Sequence, residues 1–157
     1  MNNQNEPVVL AIDLGTSGLK VALITLTGTV LGWESEPIQL YLTSDGGVEQ
    51  SPDEWWEVFL TTAGHLLQRG LISSERIQAV CCSTQGEGTI PVDRDGNALM
   101  NCVLWMDMRG EPYLEKQFHG KINITGFGLA KILSWIRLTG GMPSKTGKDP
   151  AAHMLLI

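Results

Sequence analysis

Three polar clusters interrupt a largely apolar chain, and each holds residue types that can do chemistry. The first is Asp13-Leu14-Gly15-Thr16-Ser17-Gly18. Backbone N–H groups of a glycine-rich turn, joined by the hydroxyls of Thr16 and Ser17, suit phosphate oxygens. A carboxylate at the mouth of the turn, Asp13, suits the hydrated magnesium that accompanies a nucleotide phosphate. The second cluster is Thr84-Gln85-Gly86-Glu87-Gly88, and the third is Trp105-Met106-Asp107-Met108-Arg109. A sugar or polyol site needs carboxylates and amides for neighbouring hydroxyls, and an aromatic face for the C–H side. Gln85, Glu87, Asp107 and Trp105 supply those types. Each cluster also has a plainer reading. Asp13 can simply cap a glycine hairpin, and Asp107 with Arg109 can be an internal ion pair that shapes its loop.

The elements that must position these residues follow from pattern. Short Val-, Ile- and Leu-rich runs flank the turn from Val8 to Ile24, too close for a crossover, so they are expected to pair as an antiparallel hairpin. A third strand is expected from Val30 to about Leu40, with Pro37 marking an edge or bulge. Tyr41 to Gln50 is polar and reads as loop. Ser51 as cap, Pro52 at the first helical position, acidic Asp53 and Glu54, and Gly70 beyond Arg69 then punctuate a helix. Its expected buried face is Trp55, Phe59, Ala63, Leu66 and Leu67. Arg76 to Ser83 is a compact apolar strand, expected parallel to its neighbour because a helix connects them. The polar loop 84–88 then lies at the carboxyl end of that strand, where ligands of α/β sheets tend to bind. Thr89–Val92 and Ala98–Trp105 are expected to form a hairpin around the Asp93–Gly96 turn. Helices are expected at Glu111–Gln117 and Gly128–Thr139, and a helix start at Asp149-Pro150.

The chain has 157 residues, a single-domain length by the usual prior. Its net charge of −6 argues against nucleic acid and anionic membrane surfaces as partners. No apolar run reaches 18 residues and no basic segment precedes the first strand, so neither a membrane span nor a secretory signal is expected. Cys81, Cys82 and Cys102 are an odd number with two adjacent, which points to small buried thiols in a reduced, cytoplasmic protein. The three histidines, His65, His119 and His153, stand apart, without the spacing of a zinc site. The apolar ending Met154-Leu155-Leu156-Ile157 suggests a fragment of a longer chain, and exposed apolar surface would favour self-association, a homodimer included.

Asp13-Leu14-Gly15-Thr16-Ser17-Gly18-Leu19-Lys20 resembles the first phosphate motif of the FGGY carbohydrate kinases, the xylulose kinases especially. Gly46 to Trp56 resembles the family's approach to its first helix, Ala79 to Gly88 the strand and loop that carry sugar contacts, and Val103 to Arg109 its W-x-D-x-R segment. The resemblance runs from residue 8 to about 157. It implies an α/β, ribonuclease H-like fold of the actin, hexokinase and sugar-kinase group: three antiparallel strands, then a strand made parallel by a helix crossover. Residues 1–157 would be the N-terminal part of the first, sugar-binding domain. It further implies ATP and Mg2+ as cofactors and a small sugar or polyol as partner. By the same analogy Asp13 positions the magnesium, through water. Gly15, Thr16 and Ser17 meet the phosphate, and Gln85, Gly86, Glu87, Trp105 and Asp107 line the sugar pocket.

Some positions depart from the family pattern. Gly86-Glu87 stands where xylulose kinases usually carry Met-His and glycerol kinases Arg-Glu. The chain is shorter around Gly126-Phe127-Gly128, and Lys131 to Trp135 is one residue longer than the common K-x-x-W. The resemblance places the catalytic aspartate, the second phosphate motif and the adenosine site beyond Ile157. Phosphoryl transfer needs groups from both sides of a cleft, so the 157 residues alone are expected to be inactive. Two other classes share the first motif: a non-catalytic sugar sensor, and a nucleotide-gated binding protein of the actin and chaperone kind.

Overall fold

The computed structural model describes residues 6–112 and the backbone of 153–156. Its elements are β1 (Val8–Leu14), β2 (Gly18–Thr25), β3 (Val30–Pro37), β4 (Tyr41–Leu42), β5 (Val48–Gln50), α1 (Pro52–Gln68), β6 (Ile77–Thr84), β7 (Thr89–Val92), β8 (Cys102–Val103) and β9 (His153–Leu156). The expected helix 128–139 lies outside the described residues, as does nearly all of the one at 111–117. The chain divides into two compact units: residues 1–39 with 53–85, and residues 40–52 with 86–157.

In the first unit the strands lie in the order β3-β2-β1-β6. β1 and β2 are antiparallel from Val8–Thr25 to Leu14–Leu19, and β3 is antiparallel to β2 at the sheet edge, ending on Pro37. β6 is parallel to β1, with Leu14 opposite Thr84. This is the β-β-β-α-β order expected of the sequence. Alternation decides the buried face: Val8, Leu10, Leu19, Val21 and Leu23 are all 7% exposed or less. α1 begins on Pro52, carries Asp53 and Glu54 in its first turn, and is followed by Gly70 at φ +63°. A left-handed residue one step past a helix is where glycine belongs. The last turn of α1 lies over β3 at Gly32, where an added Cβ would meet Leu66 and Leu71 side chains. Arg69 donates to the Trp33 carbonyl and pairs with Glu34.

Two details of this unit differ from expectation. The buried face of α1 is Trp55, Thr62, Ala63 and Leu66, whereas Leu67 is exposed and Phe59 half-buried. Thr62 belongs on that face because its hydroxyl donates to the Val58 carbonyl one turn back, so no polar group is left unmatched. Cys81 and Cys82 are exposed rather than buried, and only Cys102 fits the expectation. Their strand, β6, is an edge strand whose residues from Gln78 to Thr84 are all exposed.

In the second unit the order is β4-β5-β8-β7-β9. The segment 41–50, expected as loop, is a short hairpin in which Tyr41 faces Glu49 and Leu42 faces Val48. Its turn is closed by Thr43, whose hydroxyl accepts from Gly47 N–H, with Gly46 at φ +89°. The expected hairpin is present in shortened form: the second strand is Cys102–Val103 rather than Ala98–Trp105, paired at Thr89–Val103 with a single bridge from Val92 to Ala98, around a turn that Asp93 caps by accepting from the N–H groups of Asp95 and Asn97. The expected helix start at Asp149-Pro150 is overturned for the last residues. His153–Leu156 is a strand, antiparallel to β7. Two turns of helix with no C-terminal cap leave carbonyls unsatisfied, while the edge of β7 offers them partners. The core of this unit is Ile90, Cys102, Val103 and Leu104.

Candidate functional site

The first unit carries the phosphate turn. Gly15 N–H donates to the Gly18 carbonyl at 3.0 Å, closing the loop between β1 and β2. The two glycines are required by crowding, not by unusual backbone angles: neither has a positive φ. A Cβ on Gly18 would lie 2.7 Å from the Glu36 carbonyl oxygen, and one on Gly15 would lie 3.1 Å from the Gly18 oxygen. The Ser17 carbonyl accepts from Ile38 N–H, tying the turn to the end of β3.

Asp13, the last residue but one of β1, has half of its side chain exposed and lies 3.1 Å from the Lys20 ammonium across the ladder. Such an exposed pair contributes little to stability and leaves both groups accessible. Gln85 follows β6, is 8% exposed and belongs to this unit. Its N–H donates to the Leu14 carbonyl at 2.8 Å, and its Oε1 accepts from the Thr16 hydroxyl at 2.8 Å. The structure therefore brings together Asp13, Gly15, Thr16, Ser17 and Gln85. Gln85 is placed there against the phosphate turn, whereas the sequence reading set it among the sugar contacts.

The remaining candidates fall in the second unit. Glu87 is exposed and held at φ +56°, the one non-glycine residue with positive φ among the described residues. A left-handed glutamate costs roughly 1 kcal/mol or more, and such residues cluster at ligand sites. Gly86 is exposed and has open space where a Cβ would stand. Trp105 is 42% exposed and sits inside a turn closed by Asp107 N–H to the Leu104 carbonyl.

Asp107 is different: its side chain has no exposed surface. Its carboxylate accepts from Val48 N–H, from Arg109 N–H and from the Arg109 guanidinium. The ion pair considered beside the ligand reading is thus present. Asp107 offers no oxygen to a ligand in this conformation. Arg109 also donates to Glu49 at 2.7 Å. The hydrogen bonds to Asp107, helped by Glu49, hold the guanidinium well above its usual pKa and outweigh its desolvation. Glu49 was not among the sequence candidates. It stands 60 positions from Arg109 in a two-sided exchange that no local pattern signals.

The model of the FGGY family of carbohydrate kinases, N-terminal domain, matches residues 8–136. The chain belongs to this family. Among curated relatives, a xylulose kinase of Staphylococcus epidermidis is 33% identical over 137 residues, covering 83% of this chain and 27% of that protein. A glycerol kinase of Parabacteroides distasonis is 31% identical over 117 residues, covering 74% of the chain and 23% of the relative. The chain therefore spans about a quarter of the length of these relatives. A solved glycerol kinase of Plasmodium falciparum, with ADP, superposes over 96% of this chain and 32% of its own, at a TM-score of 0.75 and 22% identity. The family fold is the actin- and hexokinase-like one, and the mixed α/β sheet described above is part of an FGGY N-terminal domain.

Proposed function

We propose that residues 1–157 are the N-terminal part of the sugar-binding domain of an ATP-dependent carbohydrate kinase. The whole protein would transfer the γ-phosphoryl group of MgATP to a hydroxyl of a pentulose or related polyol, in the cytoplasm, with no nucleic-acid or membrane partner. The observation that carries this reading is the phosphate turn at the start of a chain whose family match covers residues 8–136.

The residues fit the cofactors in kind. Asp13 is a half-exposed carboxylate at a strand end, suited to hold a hydrated cation through water. The exposed Ser17 and the backbone of the tight turn suit phosphate oxygens. Magnesium, when bound, neutralises charge on the phosphates. Glu87 and Trp105 would bind and orient the sugar, one by its carboxylate and one by its ring face. The residue that takes the hydroxyl proton is assigned by family resemblance to a part of the protein beyond residue 157. Residues 1–157 by themselves are proposed to be inactive.

The test is coupled-assay ATP turnover by the full-length protein against pentuloses, hexuloses and polyols. The expected result is turnover with one of them, collapsing in Asp13→Ala and in Glu87→Ala. ATP binding with no sugar-dependent turnover would refute the kinase reading in favour of a sensor. Sugar phosphorylation by purified residues 1–157 would refute the claim of inactivity.

A further inference from the structure

We infer that Glu49, Asp107 and Arg109 form a buried clamp that positions Trp105 as the sugar platform, so that Asp107 acts through Trp105 and not on the substrate. The inference rests on the carbohydrate-kinase reading above.

The clamp is closed on itself. Arg109 Nη2 donates to Asp107 Oδ2 at 2.6 Å and to Glu49 Oε1 at 2.7 Å, and Nε donates to both Asp107 oxygens at 3.0 and 3.1 Å. The second Glu49 oxygen accepts from the Asn101 amide at 3.2 Å. Side-chain exposure is 8% for Arg109, 14% for Glu49 and 0% for Asp107. Such a fork of charge-assisted bonds fixes orientation as well as distance. Room for the guanidinium comes from Gly47, where a Cβ would lie 2.6 Å from Arg109 Cζ.

What the clamp holds is the turn 104–107. Leu104 is fully buried and its N–H donates to the Val48 carbonyl at 3.0 Å. Asp107 donates back to Leu104 at 3.0 Å and accepts from Val48 N–H at 3.0 Å. Val48 thus bonds both ends of the turn, and Met108 N–H adds a bond to the Gly46 carbonyl. Between the two pinned ends Trp105 stands 42% exposed. A stacking surface contributes more to binding when its plane is already set, because ordering it on binding costs affinity. The Asp107 side chain has no exposed surface and that of Glu49 little, and their oxygens are taken up by hydrogen bonds within the clamp, whereas Trp105 is open to a ligand.

The experiment measures sugar binding by calorimetry, and turnover, on the full-length protein with D-xylulose and glycerol as probes. Arg109→Met is compared with Trp105→Ala and with the double variant; Arg109→Lys and Glu49→Gln, which keep much of the packing, serve if Arg109→Met does not fold. The expected result is that breaking the clamp weakens sugar binding about five- to ten-fold, the scale of one aromatic contact, and raises KM for the sugar while kcat and KM for ATP stay within about two-fold. In the Trp105→Ala background the same change has no further effect on the sugar. An undiminished loss in that background overturns the inference, as does normal sugar binding with the clamp broken. Asp107→Asn that lowers kcat with sugar affinity unchanged also overturns it, by making Asp107 a catalytic residue. If the unaltered protein binds neither probe nor any sugar of the turnover panel, the kinase reading fails first and the inference falls with it.

Discussion

Gly18→Ala is expected to loosen the sheet at the phosphate turn, and the size of the effect follows from one distance. A Cβ at position 18 would stand 2.7 Å from the Glu36 carbonyl oxygen, where ordinary contact begins at 3.4 Å. The partner is backbone, in the strand that pairs with Gly18 at Pro37, so no side-chain rotamer can relieve the overlap. The two strands must separate by about 0.7 Å at the point where Gly18 also accepts the bond that closes the turn. Forced overpacking of this kind costs about 1–3 kcal/mol, a large share of the roughly 5–15 kcal/mol that holds a domain folded. The assay is native-state amide exchange at Leu19, Val21 and Leu23, the buried apolar positions of β2. Exchange should quicken by roughly 5- to 150-fold if these amides open through unfolding of the unit. Rates within two-fold of the unaltered chain would refute the close approach of β2 and β3 and, with it, the reason given for glycine at this position.

Gly64→Ala should act in the opposite direction. Gly64 lies within α1 with no positive φ and nothing within 4 Å of an added Cβ, so the change should stabilise by about 0.5–1 kcal/mol, read as a rise in Tm. Asp93 is held below its usual pKa by the Asn97 side chain and the turn amides. A depressed carboxylate contributes stability above its unfolded pKa and loses it as the pH falls through the folded one, so stability should decline on acidification below about pH 4. Asp93→Asn should remove that part of the decline, measured by urea unfolding at pH 5 and pH 3. Thiol labelling of the 157-residue chain should modify Cys81 first. Cys82 is also exposed, but its thiol is pushed up by partial desolvation and by the nearby Cys81 and Asp13, so it should follow more slowly near neutral pH, and Cys102 should react only on unfolding. Equal rates at all three would refute the burial described.

The elements legible in the sequence were those with local punctuation. β1, β2 and the turn between them follow from two apolar runs about a pair of glycines. α1 follows from Pro52, Asp53, Glu54 and Gly70, each acting within a few residues of itself. What escaped depends on partners far along the chain. Tyr41–Leu42 and Val48–Gln50 are too short to show a period, and β5 is a strand because Glu49 and Gln50 pair with Val103 and Cys102. Met154 and its neighbours are a strand because β7 has an edge to offer. The same holds in the candidate site. Asp13, Thr16 and Ser17 sit together because they lie within one five-residue stretch. Glu49 could not be connected with Arg109, nor Gln85 with Thr16, because each pair closes a loop of 60 or more residues.

The parallel pairing of β6 with β1 also sets an order of events during synthesis. Leu14 pairs with Thr84, and Thr16 is held by Gln85, a residue that leaves the ribosome some 70 positions later. At roughly 5–20 residues per second that delay is about 4–14 s, long compared with the microseconds in which a hairpin forms. The pairings of β1 with β2 and of β2 with β3 join segments close in the chain, so their meander and its glycine turn can assemble first. Through those seconds the free side of β1 is an open edge, the kind that recruits a wrong strand. Synonymous codon changes that slow translation between residues 40 and 84 would lengthen that exposure and lower the yield of folded protein, without altering any contact in the finished molecule.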